Sequence, residues 1–123
     1  MEYIHTDKAP KAIGPYSQAI KIGDFIFTSG QIALTPNGEM REEDIETQVT
    51  QVLTNLKNIL EEAGSSLDKV IKTTIFLANM DDFAKVNEIY AKFFGSHKPA
   101  RSTVAVKTLP KNALIEIEAI ATI

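Results

Sequence analysis

The chain of 123 residues contains no cysteine. Disulfides, thiolate catalysis and cysteine-ligated zinc are thereby excluded, and a reducing compartment such as the cytoplasm suits it. Histidine is nearly as scarce. His5 and His97 are the only two, and neither stands in an i,i+4 pair or a His-x-x-Glu pattern, so a metal site finds no support. A basic excess is also missing: the formal charge is −3, with acids and bases interspersed except at Glu42-Glu43-Asp44. Nucleic-acid binders concentrate cations on one face because neutralising phosphates supplies most of their affinity, so nucleic acid is not an expected partner. No apolar run approaches the roughly 20 residues of a membrane helix. The opening MEYIHTDKAP has acidic, polar and proline residues where a signal peptide needs an apolar stretch, so secretion by that route is not expected. The glycines form neither G-x-G-x-x-G nor a phosphate loop, which leaves a nucleotide cofactor unsupported.

What remains is an ordinary globular composition, 44% hydrophobic and 24% charged. At this length one domain over residues 1–123 is expected, burying roughly two-thirds of its unfolded surface. YSQAIKI (16–22) and FIFTSGQI (25–32) flank Gly23-Asp24, which predicts a tight antiparallel hairpin. From Ile45 the apolar positions Val49, Val52, Leu53, Leu56, Ile59, Leu60 and Ala63 advance by threes and fours, the stripe of an amphipathic helix, with Glu42, Glu43 and Asp44 at its start and Gly64 at its end. The branched run 70–77 predicts a strand. Asp81 then offers an oxygen to free amides, and Phe83, Val86, Tyr90 and Phe93 predict a second helix up to Gly95. Two further strands follow, around 101–107 and 114–123, with a turn at Leu109-Pro110-Lys111-Asn112 between them.

The order ββ, α, β, α, ββ is met most simply by one mixed sheet with two helices on one face, an α+β arrangement. In the last strand Ile115, Ile117, Ala119, Ala121 and Ile123 point one way, toward the helices. The opposite set, Leu114, Glu116, Glu118, Ile120 and Thr122, mixes aliphatic groups with two carboxylates. Such a face predicts self-association.

An acid and a base then stand out on neighbouring late strands, Glu116 and Arg101, with Tyr16 and Ser29 from the first hairpin as companions. One reading is a structural ion pair. The other is a site in which the arginine fork binds a small carboxylate and the glutamate holds a water for attack.

AIGPYSQAI near the start, TSGQI at 28–32, the NEIYAKFF helix, KPARS and the closing LPKNALIEIEAIA resemble, in order and over essentially the whole chain, the RidA family, the reactive intermediate deaminases of YjgF type. The resemblance implies a single RidA-like domain with a fold similar to chorismate mutase of the bacillar type. It further implies a homotrimer with a central β-barrel and sites between subunits. It implies hydrolysis of 2-imino acids, 2-iminopropanoate and 2-iminobutanoate, without a cofactor, in metabolite damage control. By motif position Arg101 would bind the substrate carboxylate and Glu116 would position or activate the water, with Tyr16, Ser29, Gly30, Asn87 and the backbone at Thr103 completing the pocket. Each carried residue keeps a plainer reading: Tyr16 as hairpin packing, Asn87 as a polar helix-edge residue, Gly30 as a strand bulge. Where many relatives have cysteine and glutamate, this chain has Thr103 and Ala105. Two other functions stay open, a non-catalytic trimer that binds small carboxylic ligands and regulates partners, and a ribonuclease or translation inhibitor.

Overall fold

The computed structural model describes Met1–Ile123. The expected hairpin is β2 (Ala19–Ile22) and β3 (Phe25–Thr28), with Ile22 opposite Phe25 and Gly23 at φ +56° in the two-residue turn. Both strands are shorter than their alternation suggests. The buried Gln18 turns its amide to the N-terminal segment, accepting from Thr6 N at 2.7 Å and donating to Pro10 O at 2.8 Å. Beyond Thr28 the chain leaves β2, and Gln31 bridges to Ile117 instead. A strand the sequence reading lacks, β1 (Glu2–Ile4), adds antiparallel to β2. Three residues are too few to show a period.

Helix α1 (Ile45–Glu62) starts where expected, Asp44 accepting from Thr47 N at 2.7 Å, and Gly64 takes φ +86° just past its end. Val49, Val52, Leu53, Leu56, Ile59 and Leu60 are all buried at 1% exposure or less, so α1 is the centre of the core. Leu56→Ala there removes about 2–5 kcal/mol, the transfer and cavity terms together.

Strand β4 (Val70–Leu77) follows, then α2 (Phe83–Phe94). The start of α2 differs from expectation. Asn79, not Asp81, supplies the capping oxygen, accepting from Asp81 N at 2.9 Å to form a 3-10 turn over Met80–Asp82, while Asp82 precedes the helix without a side-chain cap. Extended backbone at Asn79 brings its short amide to the first free N–H, leaving Asp81 inside the turn. Val86, Tyr90 and Phe94 face the core.

Strands β5 (Ala100–Ala105) and β6 (Ile115–Thr122) complete a mixed six-stranded sheet of order β1-β2-β3-β6-β4-β5. Only β4 and β5 run parallel, joined through α2 as parallel neighbours must be by a crossover. The last strand therefore sits centrally, and β4 separates it from β5. Arg101 and Glu116 are not on neighbouring strands, contrary to the sequence reading. Ile115, Ile117, Ala119 and Ala121 lie buried on the helix side as expected, whereas Ile123 stands past the strand end and is exposed. On the open side Tyr3, Ile20, Phe27 and Ile120 are paired in one row across four strands. Tyr3, Ile22, Phe25, Phe27 and Val104 are exposed there, which leaves an apolar sheet face without a cover in the single chain. No helix is long and apolar enough to cross a membrane.

Candidate active site

Arg101 lies opposite Thr73 in the parallel ladder, and Thr73 is buried on the helix side. The guanidinium consequently rises along α2, with its central carbon 5.0 Å from the ring centre of Tyr90 and 5.4 Å from that of Phe83. The Tyr90 hydroxyl shares a 2.7 Å hydrogen bond with Thr73 Oγ1, and burial pushes its pKa above the usual phenol value. This locks one of the two rings that brace the arginine. Thr103 is two residues along the same face, opposite Ile75. Asn87 joins Tyr90, His97, Lys98 and Arg101 around a cavity of about 490 Å³. Asn87 Oδ1 and Thr103 Oγ1 are both shut from solvent without a hydrogen-bond partner. A third such oxygen, Glu46 Oε1, at least has Lys85 Nζ at 3.5 Å. Buried orphan acceptors on two neighbouring elements mark a surface short of a partner.

Glu116 is on the other side. It pairs with Phe76, three residues along β4 from Thr73, so the alternation of the strand puts the two on opposite faces. Glu116, Gly30 and Tyr16 line a second cavity of about 340 Å³, walled by Ile13, Ile32 and Pro110 with Lys11 and Lys111 beside them. A Cβ built on Gly30 would overlap Glu116 Oε2 and lie 2.8 Å from its Cδ. Only glycine lets the carboxylate lie down on that backbone. Burial, with the charge of Glu118 adding to it, raises the Glu116 pKa above the usual 4.5. Neither Glu116 nor Arg101 is in an ion pair, so the reading of the two as a structural pair within one chain does not hold.

The residues thus fall into two groups. Arg101, Thr103 and Asn87 stand on one side of the sheet, while Glu116, Gly30 and Tyr16 stand on the other. Ser29 is apart from both: its hydroxyl donates to Ser17 O at 2.6 Å and its amide to Gln18 O at 2.9 Å, shaping the loop that carries Tyr16. The histidines do local work, His5 Nε2 meeting Asp7 at 3.1 Å and His97 Nε2 meeting Val70 O at 2.7 Å. Phe83 and Tyr90, read from the sequence as core stripe, serve as the arginine's brace. Lys111 was read as part of a turn. Its backbone, at φ 56° followed by Asn112 at 54°, doubles back to bring it to the Glu116 cavity, a conformation that Pro110 one residue earlier hints at.

Glu116 and Arg101 are each presented on a strand without an ion-pair partner; an arginine fork of this kind can hold a small carboxylate, and a half-buried carboxylate can hold a water. Relatives carry the same chain almost whole. A RutC family protein of Pyrococcus abyssi is 57% identical over 121 residues, 98% of this chain and 95% of that one. Reactive Intermediate Deaminase A, chloroplastic, of Arabidopsis thaliana is 52% identical over 123 residues, 99% of this chain and 66% of that protein. The crystal structure of Escherichia coli TdcF with bound serine superposes with a TM-score of 0.95 at 44% identity, covering 100% of this chain and 99% of that one. The family model described as Endoribonuclease L-PSP matches residues 6–123, and with these relatives it shows that the chain belongs to the L-PSP family, the group that includes the RidA deaminases.

Proposed function

We propose that the protein is a 2-imino acid deaminase, hydrolysing 2-iminopropanoate and 2-iminobutanoate to pyruvate and 2-oxobutanoate with release of ammonia. The observation that carries this reading is the Glu116 carboxylate, half-buried, without a cation partner and seated on Gly30. A raised pKa makes it a better proton acceptor than an exposed glutamate. Arg101 binds the substrate carboxylate, bidentately and with the backbone at Thr103 beside it. Tyr16, Gly30 and Asn87 line the pocket, and Ser29 shapes it. Water adds to the imine carbon as Glu116 takes its proton. Glu116 returns that proton to the nitrogen to give the carbinolamine; the hydroxyl proton then passes to the nitrogen by the same carboxylate as the C–N bond breaks, ammonia leaves and the C=O of the 2-oxo acid forms. The imine carbon is already electrophilic, so a placed water and charge stabilisation suffice, and no cofactor enters the scheme.

Arg101 and Glu116 face away from each other in one chain, so this chemistry needs two chains. We take the assembly to be a homotrimer whose open apolar sheet faces meet in a central barrel, with each site closed by Arg101 of one subunit and Glu116 of the next. The uncovered row Tyr3, Ile20, Phe27 and Ile120 supports this assembly. Imines of this kind arise when pyridoxal-phosphate dehydratases act on serine and threonine, and they hydrolyse unaided. The enzyme is useful only where they form, which we take to be the cytoplasm. Serine in the TdcF structure is a three-carbon acid of the size the reading requires.

The test is a coupled assay. A serine dehydratase generates 2-aminoacrylate, and the absorbance of its imine is followed with and without the protein. Faster decay, lost in Arg101→Ala, is expected. Decay unchanged by the protein, with pyruvate still bound in the Arg101 half, would favour the non-catalytic carboxylate binder instead.

A further inference from the structure

Helix α1 buries two carboxamides in its otherwise apolar stripe, Gln48 at 2% exposure and Asn55 at 0%. They are seven residues apart, two turns, and so lie on the same side of the helix. A carboxamide in a core is costly unless its hydrogen bonds are made, and these bonds run to two particular segments. Asn55 Nδ2 donates to Leu34 O at 2.9 Å and Ile32 O at 3.4 Å, while its Oδ1 accepts from Gln51 Nε2 at 2.9 Å. Gln48 Oε1 accepts from Leu114 N at 2.9 Å.

Those segments are the ones that carry Gly30 and Glu116. After β3 ends at Thr28, residues 30–34 have no continuous ladder, and the start of β6 shares with them only the bridge in which Gln31 N donates to Ile117 O at 2.9 Å and Ile117 N to Gln31 O at 3.1 Å. Gly30 and Glu116 each sit one residue from that bridge. Beside the β4 ladder that pairs Glu116 with Phe76, and the bond from Arg41 N to Ala33 O at 2.9 Å, the bridge joins the two segments to each other and the α1 carboxamides join each to the helix.

We propose that Gln48 and Asn55 are positioning residues for Glu116, fixing the two segments so that its carboxylate is pressed onto Gly30. This rests on Glu116 being the water-activating group. With either carboxamide removed, the segment loses its tie to α1, the carboxylate lifts from Gly30 and water reaches it. The charged and titratable groups around Glu116 are Glu118 on its own strand, Lys11, Lys111 and Tyr16 around the cavity and, in the proposed trimer, Arg101 of the neighbouring subunit. None of them is altered by changes in α1, so a change in Glu116 titration reports solvent access.

The experiment titrates the Glu116 side-chain carboxyl by carbon-13 NMR in the full chain, assigned with Glu116→Gln, alongside imine hydrolysis. The variants are Asn55→Leu and Gln48→Met. Gln51→Ala unlocks Asn55 without emptying the core and so keeps the test open if Asn55→Leu does not fold. Val52→Ala on the same helix is a purely apolar control. The carboxamide variants are expected to lower the Glu116 midpoint toward that of solvent-exposed glutamate. They are expected to lower kcat about 10-fold with KM little changed. Val52→Ala lowers thermal stability with the midpoint unmoved. If every carboxamide variant that folds behaves like Val52→Ala, with midpoint and kcat as in the wild type, the proposal is overturned. A wild type that hydrolyses no imine refutes the proposed function, and the titration midpoints then decide the positioning alone.

Discussion

Arg101 and Glu116 stand on opposite faces of one sheet, with β4 between their strands. A site that uses both is therefore shared between chains. Arg101→Ala and Glu116→Gln, each strongly impaired alone, should restore activity when unfolded and refolded together, because some interfaces then combine an intact arginine with an intact glutamate. Random mixing in a closed ring predicts about a quarter of wild-type activity. Recovery of none at all, with mixed oligomers demonstrated by mass, would show that one chain supplies both groups.

Gly30→Ala tests how closely the carboxylate must lie to the backbone. Gly30 does not have a positive φ, so alanine imposes no backbone strain there. The new methyl instead displaces the end of the Glu116 side chain. Thermal stability should stay near wild type while kcat falls about 100-fold, the scale of an ångström's misplacement of a reacting group. Full activity in a well-folded Gly30→Ala protein would mean that Glu116 does not act from this position.

The pH profile carries a sign that can be checked. Burial and Glu118 raise the Glu116 pKa above 4.5, and only the ionised form accepts a proton. The ratio kcat/KM should be level at neutral pH and drop as pH falls through that raised value, with the inflection missing from the residual activity of Glu116→Gln. Stability has the opposite dependence. Between 4.5 and the raised pKa the folded chain holds the extra proton, so stability declines as pH rises through this window and stays lower above it. Glu116→Gln should therefore melt higher than wild type at pH 7, with the gap closing in acid.

Tyr90→Phe and Phe83→Ala separate the two supports of Arg101. Phenylalanine at 90 keeps a ring beside the guanidinium but leaves Thr73, buried at 1% exposure, without its 2.7 Å partner. We expect a stability loss of about 1–2 kcal/mol with KM nearly unchanged. Phe83→Ala removes a ring 5.4 Å from the guanidinium carbon and should raise KM several-fold. Equal effects of the two on KM would argue against bracing by the rings.

The elements that depend on local pattern were legible in advance. Val49 to Leu60 announced α1, the branched run announced β4, and Gly23 announced the turn between β2 and β3. Strand order was not, because nothing between Thr28 and Ile115 records that β6 will insert beside β3 and place β4 between Glu116 and Arg101. That outcome is decided by packing across distant parts of the chain, which a period of two cannot express. Among the candidate site residues Arg101, Glu116, Tyr16 and Ser29 stood out from residue type and place, whereas Gly30, Asn87 and Thr103 were named only through likeness to a family. Their division between two faces follows from the register of Arg101 with Thr73 and of Glu116 with Phe76, which appears only once strands are paired. Gln48 and Asn55 carried a visible signal, two amides interrupting an apolar stripe, but their partners are backbone groups that no side-chain pattern reveals.

Thr103 puts a hydroxyl on β5 beside Arg101, and the chain has no cysteine to supply a thiol anywhere. The three methionines are the whole sulfur content, and none lines the Arg101 or the Glu116 cavity. Peroxide therefore finds its first targets at Met1 and Met80, both exposed and neither lining those cavities. Peroxide thus marks the two exposed methionines before any group that lines either cavity.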